Sequence, residues 1–323
     1  MILLRCYARI PDLIYSWTNG LLDLRILPIY SYGFMVACGF LAAAVVVTRE
    51  LKRREALGLM PALGEKKDGT TEWTSDLVGD LVIICAIFGV LGSCFFNYLE
   101  SPDSYKDFWQ HPVESLFSGL SVYGGMICAG LALLGFSLYK KVKIPHMFDS
   151  LAYCFILAVG IGRLGCQLSG DGDWGIENLA PKPDLVPQWL WSTHYAHNIV
   201  NEGVYISGCT EEHCMQLANP VYPTPMYEFF ECTAIFLLLH FMRKKLTAQP
   251  GMLFFVFSIG IGLQRYSIEQ IRAVSDRDLY QIFGAHLKQA EIISIAMVII
   301  GVIGVAFLEI YYRKHPAQGP AHA

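Results

Sequence analysis

Apolar residues in this chain gather into seven long runs, at 28–48, 78–99, 119–139, 148–168, 225–242, 250–271 and 291–312. Each approaches the roughly 20 residues that cross about 30 Å of hydrocarbon as a helix. The fifth run is the shortest, and its helix has room to begin inside the preceding loop. With no water in the bilayer core, a spanning backbone must satisfy its own hydrogen bonds, as a helix does. The pattern therefore predicts an all-α polytopic membrane protein with about seven transmembrane helices. The longest break, 169–224, is rich in Pro, Asn, Asp and Trp. It predicts a loop region on one face of the membrane.

Basic residues set the orientation. Arg49, Lys52, Arg53 and Arg54 follow the first run, Lys140, Lys141 and Lys143 the third, Arg243, Lys244 and Lys245 the fifth, and Arg313 and Lys314 the seventh. Basic flanks stay in the cytoplasm. The N-terminal segment 1–27 and the loop 169–224 then lie outside, the seven-helix domain is 28–312, and 313–323 is a cytoplasmic tail. The loop carries seven acidic residues and one lysine, which suits the outer face. Arg272, Arg277 and Lys288 run against this bias, because they fall in a connection placed outside. Two readings are open for Trp174, Trp189, Trp191 and Tyr195: aromatics at headgroup level, or a small aromatic core.

Composition agrees with a lipid solvent: 54% of residues are hydrophobic and 16% charged, and the mean hydropathy is +0.41. Soluble domains carry about 25% charge. A net charge of -4 argues against a nucleic-acid partner. No segment joins a charged start, a short apolar core and a small-residue cleavage site, so no removable signal peptide is expected. Most of the ten cysteines fall in apolar runs, as packing residues do. Cys209 and Cys214 are the two cysteines of the outer loop, in a compartment that permits oxidation, and a disulfide between them is expected.

Two arginines lie inside apolar runs: Arg163 in GIGRLGCQL and Arg265 in GIGLQRYSIEQIR. A charge at membrane depth costs at least about 2.5–3.5 kcal/mol, so it is usually paired or functional. Glu269 follows Arg265 by four residues, on the same helix face. The topology puts Arg163, Arg265 and Glu269 at the outer ends of their spans, at the depth of Tyr32 and Tyr123. One cavity in the outer leaflet is expected, and guanidinium groups match the phosphates found there. GIGRLG also fits a dinucleotide fingerprint, but it lies within a span rather than between a strand and a helix. DGDWGIE is half of a calcium loop with Gly175 where a ligand belongs. No metal or cofactor is implied.

These residues resemble the prolipoprotein diacylglyceryl transferase family from about Pro28 to the C-terminus. The resemblance rests on YSYGFMVACGF, SGLSVYGGMICAG, GIGRLGCQLSGDGDWG, YPTPMYEFFE and QRYSIEQIR, which occur in the family's order. It implies an enzyme of the bacterial cytoplasmic (inner) membrane. Such an enzyme moves the diacylglyceryl group of phosphatidylglycerol to the lipobox cysteine of a preprolipoprotein signal peptide, forming a thioether and releasing glycerol phosphate. It implies Arg163, Arg265, Tyr123 and Glu269 as catalytic residues. Tyr32, Gly124, Gly125, Cys166, Asp171, Tyr227 and Glu228 become substrate-binding candidates. The family usually has histidine where Tyr123 stands and asparagine where Cys166 stands, and its fifth-span motif often begins with histidine where this chain has Tyr222. The base that accepts the thiol proton is then either Tyr123 or the lipid phosphate. From the arginines alone, a transporter or channel for an anionic or lipid substrate is the alternative reading.

Overall fold

A computed structural model of the chain describes residues 5–66, 69–100, 121–273, 279–282 and 285–315, with the backbone alone for Glu100, Val122, Tyr123, 279–282, Ala285 and His286. In chain order the elements are α1 (Ile10–Trp17), α2 (Ser31–Ala56), β1 (Gly64–Glu65), β2 (Thr71–Glu72), a 3-10 turn (Thr74–Leu77), α3 (Val78–Glu100), α4 (Val122–Tyr139) and α5 (Ile144–Ser169). They continue as α6 (Gln188–Trp191), β3 (Val204–Tyr205), β4 (Met215–Gln216), α7 (Thr224–Met242), a 3-10 turn (Lys245–Ala248), α8 (Met252–Glu269), β5 (Leu279–Ile282), β6 (Ala285–Lys288) and α9 (Gln289–Lys314). Each strand pair is an antiparallel hairpin.

Each apolar run of the sequence forms one of these helices over most of its described length. Among the described residues, four segments are long and apolar enough to cross a membrane: Ser31–Ala56, Thr74–Leu99, Ile144–Ser169 and Gln289–Lys314. The described part of α4 is a shorter apolar helix. Charges within α7 (Glu228, Glu231) and α8 (Arg265, Glu269) lower the hydropathy of those two helices. Local chemistry closes the starts of α7 and α9. Proline stands in the first turn of α7, where its missing N–H costs nothing. Glu291 accepts the Lys288 backbone N–H at 2.9 Å and closes the start of α9.

The chain divides into two compact units. The first contains Met1–Ala43 and Ala152–Ala317. Its α8 and α9 are neighbours, joined where the Ser258 hydroxyl donates to the Met297 carbonyl at 2.9 Å. Outside the helices, Cys6, Trp174, Tyr195, Leu217 and Val221 form a small buried core. Trp174 and Tyr195 are therefore core residues. Residues 5–9 close over it: the Cys6 N–H donates to the Ala196 carbonyl at 2.8 Å, and the Tyr7 N–H to Leu168 at 2.6 Å. Cys209 and Cys214 are joined by a disulfide as expected, and between them Glu211 pairs with Arg5. The segment before the first run is thus partly built into the loop region.

The second unit contains Ala44–Leu151. There α3 and α4 pack closely. Arg54 is only 1% exposed, and its Nε donates to Glu50 at 3.0 Å. Its other nitrogens face the Asp149 carboxylate at 3.5 Å and His146 Nδ1 at 2.8 Å. Because arginine has no acceptor, Nδ1 must receive that bond, so the imidazole is neutral with its proton on Nε2. Arg53 adds a second cation on Glu50 at 2.6 Å. The basic cluster after the first run is therefore partly internal, since α2 continues through it.

Candidate functional site

Arg163 sits two turns before the end of α5, and Glu228 in the first turns of α7. Arg265 and Glu269 share the last turns of α8. Three connecting segments are stitched together where these helices end. The Gly175 N–H donates to the Tyr222 carbonyl at 2.9 Å, and the Ile176 N–H to Ile271 at 2.8 Å. A Cβ on Gly175 would stand 2.6 Å from the Ile271 oxygen, so only glycine permits this approach. The Thr224 hydroxyl donates to the Asp173 carbonyl at 2.5 Å. Residues 173, 224 and 272 are held together by this stitching.

A continuous ion network results. Glu228, with its side chain 4% exposed, joins both span arginines: Oε2 pairs with Arg163 Nε, and Oε1 lies 3.6 Å from Arg265. Arg265 pairs in turn with Glu269 at 3.1 Å. The Lys288 ammonium lies 3.8 Å from Glu269 Oε1 and donates to the Glu269 backbone carbonyl at 2.6 Å. On the other side, Asp173 joins Arg163 through Oδ2 and Arg272 through Oδ1. Direct pairs therefore link Arg163, Arg265, Arg272 and Lys288 to Asp173, Glu228 and Glu269, leaving one positive charge in excess. The three guanidinium side chains remain 17–22% exposed. One carboxylate bridges each pair: the buried Glu228 holds Arg163 and Arg265, and the part-exposed Asp173 holds Arg163 and Arg272.

The two loop carboxylates differ. Burial, reinforced by the charge of Asp173, raises the Asp171 carboxyl above its ordinary range. Burial also pushes Asp173 upward, but Arg272 and then Arg163 prevail and hold its carboxyl below that range. The Asp173 N–H donates to Asp171 at 3.4 Å. Among the described residues, Cys166, Asp171 and Asp173 form a grouping with metal-ligand atoms, all within 4.8 Å of one another. Both Asp173 oxygens already carry guanidinium groups, which disfavours a cation at that point.

The structure brings together Arg163, Arg265, Glu269, Glu228, Cys166 and Asp171. The Arg163 guanidinium stands 3.9 Å from Cys166 Sγ. Tyr32 opens α2 with its backbone against Gly165, and its side chain is exposed. The Tyr227 hydroxyl is anchored on the Leu190 carbonyl at 2.7 Å. Gly124 and Gly125 lie in the second unit, at the α3–α4 seam. A Cβ there would meet Phe96 Cβ at 2.3 Å and Ser93 Oγ at 2.4 Å, so both glycines serve close helix packing. The Tyr123 side chain and Arg277 lie outside the described residues. The sequence reading missed Asp173 and did not count Arg272 and Lys288 as site residues. The basic residues that ran against the charge bias were the available signal for the last two.

A family model described as prolipoprotein diacylglyceryl transferase matches residues 19–307. Among curated proteins, the chain is similar to the phosphatidylglycerol--prolipoprotein diacylglyceryl transferase of Corynebacterium glutamicum. The two are 28% identical over 93% of this chain and 85% of the relative. The protein of that name from Burkholderia ambifaria is 28% identical over 90% of this chain and 93% of its own length. The one from Bacillus cytotoxicus is 25% identical over 85% and 86%.

Proposed function

Because the chain belongs to the prolipoprotein diacylglyceryl transferase family, we propose that its arginine–carboxylate network is the site that grips the lipid phosphate during transfer. The protein is a multi-pass membrane enzyme that transfers the diacylglyceryl group of phosphatidylglycerol to a prolipoprotein. The alternative of an anion pathway lapses with this assignment. One observation carries the assignment of the site: a single buried carboxylate, Glu228, touches both Arg163 and Arg265. Two guanidinium groups that share one carboxylate also stand within reach of one phosphate.

The chemistry follows from that placement. The acceptor is the lipobox cysteine thiol of the signal peptide, and its thiolate attacks C3 of the diacylglycerol unit. The C–S bond forms as the C–O bond to phosphate breaks, and glycerol phosphate leaves with the electron pair. The proton lost by the thiol balances the second negative charge gained by the phosphate. Arg163 and Arg265 stabilise that charge where little water competes, and the same cations lower the pKa of an approaching thiol. Glu269 and Glu228 orient the arginines. Tyr123, where the family usually has histidine, positions the thiol and passes its proton on, or the departing phosphate takes it directly. Tyr32, Cys166, Asp171 and Tyr227 line the lipid and peptide path, and Gly124 and Gly125 serve the packing of α3 on α4.

Seven spans compose the catalytic domain 28–312 in the bacterial inner membrane, with 1–27 and 169–224 outside and 313–323 in the cytoplasm. The basic residues after each odd run support this orientation. The test uses purified protein, phosphatidylglycerol and a lipobox peptide, followed by mass. A thioether-linked diacylglyceryl peptide together with free glycerol phosphate is expected. No adduct on the cysteine peptide, or an equal adduct on its serine analogue, overturns the reading.

A further inference from the structure

Asp173 differs from the other carboxylates of the network. Glu228 and Glu269 project from helices, with side chains 4% and 3% exposed. Asp173 stands on a connecting segment, and its side chain is 26% exposed. Gly172 before it has a φ of +97°. Its backbone is fixed by Thr224 through the carbonyl, so an exchange of partners falls to the side chain. Its two oxygens hold guanidinium groups from different segments, Arg163 on α5 and Arg272 just after α8. A carboxylate and a phosphate present the same pair of oxygens to such a fork. Held below the ordinary carboxylate range by Arg272 and Arg163 against the effect of burial, it stays anionic.

Charge then distinguishes substrate from product. With Asp173 in place the network carries one excess positive charge, and with Asp173 turned away it carries two. The diester brings about one negative charge, whereas a phosphate monoester brings about 1.5 to 2 at neutral pH. An emptied seat would hold the product more tightly than the substrate, and turnover would stall on release. A tethered carboxylate competes for that seat at a high effective concentration.

We propose that Asp173 is a built-in occupant of the phosphate seat between Arg163 and Arg272, one that yields to the lipid phosphate and returns to displace the phosphate product. This rests on the transferase site described above. Asp173 is accordingly an internal competitor for the phosphate, and Arg272 is a third phosphate donor.

The experiment compares wild type, Asp173→Asn and Asp173→Ser as full-length protein in phosphatidylcholine nanodiscs, with inorganic phosphate as the probe. Two readouts are taken: phosphate inhibition of transfer, and the rise in melting temperature that phosphate produces. If Asp173 occupies the seat about 90% of the time, its removal tightens phosphate binding about tenfold. KM for phosphatidylglycerol falls with it, and kcat falls as product release slows. Asp173→Glu, which retains the charge, restores the weaker phosphate inhibition. Unchanged or weaker phosphate binding in both neutral variants overturns the proposal, since Asp173 would then only orient Arg163. Loss of folded protein in both variants overturns it as well, because it makes the residue a structural partner. The melting shift needs no turnover, so a wild type that makes no thioether sinks the transferase site without deciding the seat.

Discussion

Two charge networks stand in the same chain and are built from the same residue types. The one at the end of α2 is closed. Arg54 is 1% exposed, and its donors meet Glu50, Asp149 and a neutral imidazole. The one where α5, α7 and α8 end is open. Its guanidinium groups keep 17–22% exposure, and the Lys288 ammonium leaves the network with one positive charge in excess. Burying an arginine in a sequence therefore does not by itself announce chemistry. What distinguishes a working site is the remainder: side chains left partly exposed, and charge left uncancelled, for an anion to complete. A closed network of this kind contributes mainly shape, because desolvation offsets most of its Coulombic gain.

This contrast can be broken experimentally. The largest effect is expected for Arg163→Lys and Arg265→Lys. Lysine keeps the charge but cannot fork across two phosphate oxygens, so thioether formation per folded molecule should fall about 10²–10³-fold. Near-normal turnover in both would make the open network as structural as the closed one. Next is Tyr123→Phe, which removes one hydroxyl. Loss of a positioned proton acceptor costs upward of about 10²-fold, so kcat should fall to that degree while KM for phosphatidylglycerol holds. Parallel rates across pH would leave the lipid phosphate as the base. Glu269→Gln should be milder, because Glu228 still holds Arg265. A loss of about threefold to tenfold is expected, of the size given by one ordinary net hydrogen bond. The smallest change in turnover should come from Arg54→Met. It removes the partner that Glu50 and Asp149 share while Arg53 still holds Glu50, so stability should fall by about 1–3 kcal/mol, read as a lower denaturation midpoint. Turnover per folded molecule should stay unchanged, and a large loss there would erase the distinction between the networks.

The sequence disclosed the open site unevenly. Arg163, Arg265 and Glu269 stand out because a charge is conspicuous in an apolar run, and the spacing of four residues pairs the last two directly. Glu228 lies near the mouth of its helix, where a carboxylate is unremarkable, and it entered only through the resemblance. Asp173 was one acid among seven in its loop. Its role depends on a chain return that brings 173, 224 and 272 together, and no periodicity encodes such a return. Arg54 shows the reverse failure. As one of a basic cluster it read as a solvated flank, although Glu50 four residues earlier offered the pairing that the structure makes. The Trp174 and Tyr195 rings were ambiguous because interfacial and core aromatics share a composition, and only burial separates them. The Cys209–Cys214 bond was legible because no other cysteine shares that loop.

The tie between Arg5 and Glu211 spans 206 positions of the chain, and this sets a clock on biogenesis. At about 5–20 residues per second, the ribosome needs about 10–40 s to deliver Glu211 after Arg5 has emerged. Over that interval Cys6 and Tyr7 have none of their partners at 168 and 196 for part of the time, and Arg5 none at 211. Residues 5–7 thus settle long after they are made, waiting for a cover that is synthesised after four of the long helices.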